Sequence, residues 1–184
     1  MVTLTLLGWV GIVQAAELEG QRFDDQASLG NQSLKLNGLG LRSVFIIKAY
    51  VAGLYLPEKS STPGDILQST GPKRLQLRPL MELSAGDIKK ALLDGMRKNA
   101  GDGQWAALQD RAQALGRTID TIGVSKPGDT ITLDYLPQQG MVLAINNQAR
   151  GTPVPGADFY SALLEIFIGS SPVDTRLKKG LLGL

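Results

Sequence analysis

Three side chains in an otherwise apolar stretch are the first candidates for chemistry: Arg42, Lys48 and Tyr50, set within LNGLGLRSVFIIKAYVAGLYL at residues 36–56. A guanidinium presents a planar fork that matches a carboxylate, an ammonium supplies a point charge, and a phenol donates a hydrogen bond. All three carry even numbers, so in an unbroken strand they share one face, where a positive charge either reaches solvent or meets an anion. Each also has a structural alternative. Arg42, beside glycines, can satisfy carbonyls; Tyr50 can fill the core with its hydroxyl paired; Lys48 can reach along the strand to water. Arg78 and Arg150 read more simply as solvated strand ends.

Two absences remove much other chemistry. The chain has no His and no Cys. Ser-His-Asp and Cys-His catalysis, thiolate or imidazole metal centres and disulfides are therefore excluded, and no cofactor or metal is expected. Any catalysis would fall to carboxylates, Lys, Tyr or Arg. The 19 basic and 17 acidic residues are scattered along the chain, without a basic block that could grip a phosphate backbone, so nucleic acid is not an expected partner.

The elements that must position these groups follow from pattern. At 184 residues, with 43% hydrophobic and 20% charged, the chain suits one soluble domain with a sizeable core. Residues 36–56 are rich in β-branched and aromatic types and read as one strand buried on both faces. Residues 17–33 are polar, with Phe23 and Leu29 as anchors and a short edge strand around Gln21 to Phe23. Residues 57–71 form a loop with one helical turn at Asp65 to Leu67, and Leu75 and Leu77 alternate with Arg74, Gln76 and Arg78 as a strand with one wet face. Ser84 and Asp87 form a capping box for a helix with the stripe Ile88, Ala91, Leu92, Gly95 and Met96; a second helix follows Gly103 with Trp105, Leu108, Ala112 and Leu115. Residues 129–136 and 141–146 form a hairpin, and a short strand follows at Gln148 to Gly151. A third helix has the stripe Phe159, Ala162, Leu163, Ile166 and Phe167, and a last one starts at Ser171-Pro172 and buries Val173, Leu177 and Leu181. Strands, two helices, further strands and two helices predict an α+β domain with a largely antiparallel sheet and helices gathered on one side.

At the N-terminus, residues 2–13 form an apolar run followed by Val13-Gln14-Ala15, the small-x-Ala form of a signal peptidase site. The run is shorter than the roughly 20 residues a bilayer span needs. A signal peptide at residues 1–15, cleavage after Ala15 and a mature domain at residues 16–184 are expected, with periplasmic or secreted localisation and no stable membrane span. No Lys or Arg precedes the run, a departure from the usual signal that leaves an upstream start open; a buried N-terminal strand is the alternative.

Three segments taken together, NGLGLRSVFIIKAYVAGLYLP at 37–57, DTITLDYLP at 129–137 and GTPVPGADFYSALLEIFIGSSPVDTRLKKGLLG at 151–183, resemble the chalcone isomerase superfamily and its bacterial secreted chalcone isomerase-like branch. The resemblance covers residues 34–182 and implies an open-faced β-sandwich, with a ligand in the cleft between the large sheet and the helices. It also implies where the plant enzyme's polar site would fall. The enzyme's Thr falls on Tyr50, its Arg near Asn37 or Gly38, its Tyr on Ile88, its Asn on Gly95, and its C-terminal Ser or Thr on Ile166. A site with those replacements cannot hold an enone oxygen by the same hydrogen bonds, a loss of about 1–3 kcal/mol for each polar contact, and suits an aliphatic tail better.

The family's non-catalytic branch binds fatty acids through an Arg and a Tyr, and Gly38, Gly40, Arg42, Lys48, Tyr50, Gly53 and Tyr55 resemble that branch. The resemblance thus implies a non-catalytic protein that binds a fatty acid or other apolar carboxylate through Arg42, Lys48 and Tyr50, with no catalytic residue assigned. An isomerase of the intramolecular lyase type is the alternative, and an envelope protein with a protein partner a further one. Geometry sets one condition. Eight residues of extended strand span ~26 Å, so Arg42 and Tyr50 meet one carboxylate only if the chain folds back near Ser43 or bulges at the glycines; otherwise Lys48 is the cation.

Overall fold

The computed structural model describes residues 15–184. The apolar run at residues 2–13 lies outside the described residues, as does the rest of the expected signal peptide before Ala15. The chain opens with an antiparallel ribbon, β1 (Ala15–Leu18) and β2 (Gln21–Asp24), and continues as a meander of β3 (Gln26–Leu29), β4 (Gln32–Val44) and β5 (Ile47–Leu56). The short helix α1 (Pro63–Gln68) leads into β6 (Lys73–Pro79). The two-residue strands β7 (Leu83–Ser84) and β8 (Val124–Ser125) pair across the ends of α2 (Ala85–Asp120). A second meander, β9 (Ile131–Leu136), β10 (Gly140–Ile145) and β11 (Gln148–Val154), precedes α3 (Ala157–Ile168) and α4 (Thr175–Leu181).

The large sheet has seven strands in the order β11-β10-β9-β6-β5-β4-β3, and every neighbouring pair is antiparallel. On β5, Ala52, Leu54 and Leu56 point into the core under the helices, while Val51 and Tyr55 pack with Phe23 of the ribbon. Both faces of β5 are covered from Val51 to Leu56, which is why that segment is continuously apolar. The result is the expected α+β architecture, a curled antiparallel sheet with a helical layer on one face.

Residues 36–56 are not the single strand their composition suggests. The chain reverses at Phe45-Ile46, with Val44 opposite Ile47 and Arg42 opposite Tyr50. No Gly, Asn or Asp marks this turn, so the usual hairpin signal is missing. Burial on both faces also fails at the turn, where Phe45 and Ile46 are each 95% exposed.

The helices follow the expected caps, with one shift. The Ser84 hydroxyl accepts from the Asp87 N–H at 3.1 Å and donates to the Asp87 carboxylate at 2.6 Å. Gly101 breaks the helical backbone with φ 66°, dividing α2 into arms 85–100 and 102–120, the two expected helices. Helix α3 buries Tyr160, Leu164 and Ile168 as well as the expected stripe, because it lies between the sheet and the other helices. Helix α4 begins later than Ser171-Pro172 suggests. The Val173 N–H donates back to Ile166 O at 2.7 Å, and Asp174 caps the helix by accepting from Arg176 and Leu177. Gly38 and Gly40 explain how α4 lies flat on β4: a Cβ on Gly40 would stand 2.4 Å from Leu177 O, and one on Gly38 2.1 Å from Gly180 O.

Candidate functional site

Between the helix-covered face of the sheet and the helical layer lies a cavity of about 80 Å³. Leu77, Ile131 and Leu133 form its sheet wall, Ile88 and Ile119 line it from α2, and Ile166 closes it from α3. Among the described residues, Tyr50 is the only one lining it with a polar side chain. These aliphatic groups offer nothing that can hydrogen-bond an oxygen, so the cavity selects for hydrocarbon. Its volume is below the roughly 300 Å³ of a small-molecule pocket. A surface groove of about 290 Å³ lies against the same wall, and Ala91, Ile166 and Val173 border both spaces.

The hairpin brings Arg42 and Tyr50 together as direct cross-strand partners. The condition set by strand length is therefore met by the fold-back at Phe45-Ile46, two residues beyond Ser43. Burial pushes the Tyr50 phenol well above its ordinary pKa; Arg42 opposes this and Asp174 adds to it, so the hydroxyl stays a neutral donor at physiological pH. Among the described residues that hydroxyl has no hydrogen-bond partner, in contrast to Tyr160, whose Oη donates to Leu133 O at 2.9 Å.

Arg42 Nη1 donates to Ser43 O at 2.6 Å and to Asp174 Oδ2 at 3.4 Å. Asp174 Oδ1 accepts from the N–H groups of Arg176 at 2.8 Å and Leu177 at 3.1 Å. Burial works against the charge of this carboxylate. The N–H groups of Leu177, Ser43 and Arg176, with Arg42, outweigh burial and hold its pKa below the usual range. The N–H of Ser43 also lies 3.4 Å from Asp174 Oδ2, so the capping aspartate clasps the end of β4 as well as α4.

Lys48 is not brought into this group. Tyr50 faces Arg42 while Lys48 faces Ser43, so Ala49 is an extra residue on β5, and a bulge of this kind reverses the alternation of faces. Lys48 Nζ instead meets Glu19 Oε2, in the β1–β2 turn, at 2.6 Å. The shared face expected from even numbering thus fails for Lys48, and Tyr50 and Arg42 share one across strands. Arg78 stacks over Phe23 with its guanidinium carbon 5.3 Å from the ring centre, and Arg150 reaches Gln148 at 3.5 Å on the edge strand. Phe159 and Phe167 are core, and Trp105 packs half-buried against it.

The positions that the resemblance assigns to the plant enzyme's polar groups converge on the cavity. Tyr50, Ile88 and Ile166 all line it, and a Cβ on Gly95 would stand 2.9 Å from Ile166. Asn37 does not face it; its amide ties Ser60 O and Leu181 O at 2.9 and 2.8 Å. Sequence reasoning missed Asp174 as the partner of Arg42, although an Asp directly before Thr-Arg-Leu is a usable N-cap signal. Leu83, Ile119 and Ile131 carried no signal separating them from ordinary core. Among the described residues, no cluster of acidic side chains could hold a metal ion, and no helix is long and apolar enough to cross a membrane.

Residues 15–183 match the family model described as chalcone isomerase-like. No curated protein matches the sequence. Among solved structures, a fatty-acid binding protein of Arabidopsis thaliana, AtFAP1, superposes with a TM-score of 0.72 at 16% identity, covering 92% of this chain and 96% of that one. At that identity the match speaks for the fold alone, and it agrees with the sheet order and helical layer described above. With the model matching nearly all of the described chain, the protein belongs to the chalcone isomerase-like family.

Proposed function

We propose that the protein binds a fatty acid or a similar apolar carboxylate without transforming it, holding the acyl chain between sheet and helices and the carboxylate at Tyr50 and Arg42. The observation that carries this reading is the cavity itself, walled by hydrocarbon and ending at one neutral hydroxyl that has no hydrogen-bond partner among the described residues, with a guanidinium across the strand pair. A carboxylate there accepts from Tyr50 Oη and takes up donors of Arg42 that the protein leaves free, while the chain replaces no hydrogen bond as it enters. The fatty-acid binding neighbour supports the ligand class, and the apolar run at residues 2–13 with the small-x-Ala site that follows it supports a periplasmic or secreted setting. The isomerase reading has no comparable support, since Ile88 and Ile166 offer nothing to hold or polarise a carbonyl.

Native mass spectrometry with lipid extraction, followed by titration of the stripped protein with palmitate, tests the reading. Palmitate binding that weakens about ten- to a hundredfold in Arg42→Ala, while the uncharged methyl ester binds both proteins alike, is the expected result. Protein that carries no lipid and ignores palmitate overturns it.

A further inference from the structure

The tip of the β4–β5 hairpin is the least expected surface of the molecule. Val44, Phe45, Ile46 and Ile47 follow one another, with Phe45 and Ile46 each 95% exposed and Ile47 55% exposed. Isolated exposed apolar residues are ordinary, whereas an uninterrupted run at the apex of a hairpin is not. The backbone adds a second, independent observation. Phe45 has φ 54°, a conformation that a bulky side chain adopts at a cost and that Gly or Asn would adopt freely. A turn built only to reverse the chain gains nothing from Phe and Ile here, so both solubility and backbone energy point to a contact made by these side chains.

We infer that this tip is a wedge that enters the surface of a lipid bilayer. Its shape argues for lipid over protein. It is a hairpin apex of four consecutive side chains, too small a patch for a stable dimer or protein complex, which needs about 800 Å² from each partner. A bilayer requires no complementary surface, only apolar groups that reach past the headgroups. At the base of the tip Lys48 is paired with Glu19 at 2.6 Å and Arg42 meets Asp174 at 3.4 Å, so these two cations can approach headgroups without being stripped of a counter-charge. Met81 adds a further exposed apolar group beside this base, next to Leu80, whose N–H donates to Ala49 O. The tip also lies at the Tyr50 end of the cavity: Ile47 is three residues from Tyr50, and Ser43 meets the aspartate that follows Val173. The wedge therefore places the Tyr50 end of the apolar cavity towards the surface that holds acyl chains. The inference goes beyond the ligand reading and does not need it.

Because the chain has no Cys, Ile46→Cys gives a single labelling site, and Gln139→Cys, in the β9–β10 turn at the opposite end of the sheet, gives its control. The full chain carrying an environment-sensitive dye at either site is mixed with vesicles of phosphatidylethanolamine and phosphatidylglycerol. Emission from site 46 is expected to shift to the blue while that from site 139 stays, and the unlabelled Phe45→Ser/Ile46→Ser variant is expected to partition at least about tenfold less. Since Lys48 and Arg42 are ion-paired, partitioning should change less than about threefold between low and high salt. Equal responses at both sites, or unchanged partitioning of the serine variant, overturn the inference; so does a dimer in vesicle-free solution that the serine variant dissociates, which would assign the tip to a second copy. Palmitate titration of the serine variant without vesicles separates the two readings, because its affinity should equal that of the unchanged protein whether or not the wedge exists.

Discussion

Arg74 and Arg42 each face an aspartate, and the two pairs differ in every respect that matters for function. Arg74 on β6 sits directly opposite Asp134 on β9, and its Nε and Nη2 donate to the two carboxylate oxygens, both at 2.7 Å. The Asp134 hydrogen bond pushes the Arg74 pKa up against the effect of burial. Arg42 offers Asp174 only Nη1, at 3.4 Å, and among the described residues its Nε and Nη2 have no hydrogen-bond partner. The Nε and Nη2 edge of Arg74 is matched to both oxygens of Asp134 and ties two central strands, whereas Arg42 touches its aspartate through one nitrogen across the strand pair from Tyr50, which lines the cavity. The same residue pair is thus a bidentate tie in one place and a single, longer contact in the other, and under the proposed ligand reading that difference is what leaves Arg42 open to a carboxylate.

Breaking the closed pair should have the larger effect. Asp134→Ala leaves a guanidinium in the sheet, 18% exposed, without its counter-charge. A loss of about 3–5 kcal/mol in urea denaturation is expected, with palmitate affinity of the folded fraction unchanged. A loss below about 1 kcal/mol would show that the Arg74 pair is as dispensable as a surface one and would dissolve the contrast.

Much of this arrangement was legible in the sequence where periodicity carries the signal. Leu75 and Leu77 alternate with polar neighbours, the Ser84 cap precedes a clear stripe, and the Phe159 to Phe167 pattern has helical spacing, so each element could be placed. The hairpin was not legible, because Phe45-Ile46 occupies a turn whose usual residues are Gly, Asn and Asp. The face of Lys48 was hidden by a bulge at Ala49 that leaves no mark in composition. At the site, Tyr50 stood out as a polar group in an apolar run. Ile119 and Ile131 did not, since an aliphatic residue reads alike whether it touches a neighbour or a void. The start of the last helix at Ser171-Pro172 was misplaced, and Asp174 missed as its cap, because the tie from Val173 to Ile166 O is a tertiary contact.

The open pair should respond to changes that leave the closed one untouched. Tyr50→Phe removes a hydroxyl with no hydrogen-bond partner among the described residues, so stability should hold or rise slightly while palmitate affinity falls about two- to tenfold, the worth of one neutral hydrogen bond. A matched loss of stability would mean that the hydroxyl is tied within the fold and not held for a ligand. Lys48→Ala, which frees only Glu19, should leave palmitate affinity unchanged.

The smallest effect is the most specific. Asp174→Asn keeps an oxygen that can accept from Arg176 and Leu177, and Asn caps helices about as well as Asp, so α4 stays in place. The change removes the negative charge that competes with an incoming carboxylate for Arg42, and palmitate should bind about two- to fivefold more tightly, as expected for one partly exposed ion pair. Stability carries a separate signature. The folded carboxyl titrates below its unfolded value of about 4, so its contribution is complete above that pH and is lost as the pH falls through the depressed folded value. The Asn variant lacks this contribution, and its stability should fall less steeply than that of the unchanged protein below pH ~4 in acid-titrated urea curves. Tighter palmitate binding together with the flatter acid limb would identify Asp174 as the internal rival of the ligand. Weaker binding would mean that the aspartate orients Arg42, making the open pair a second architectural one.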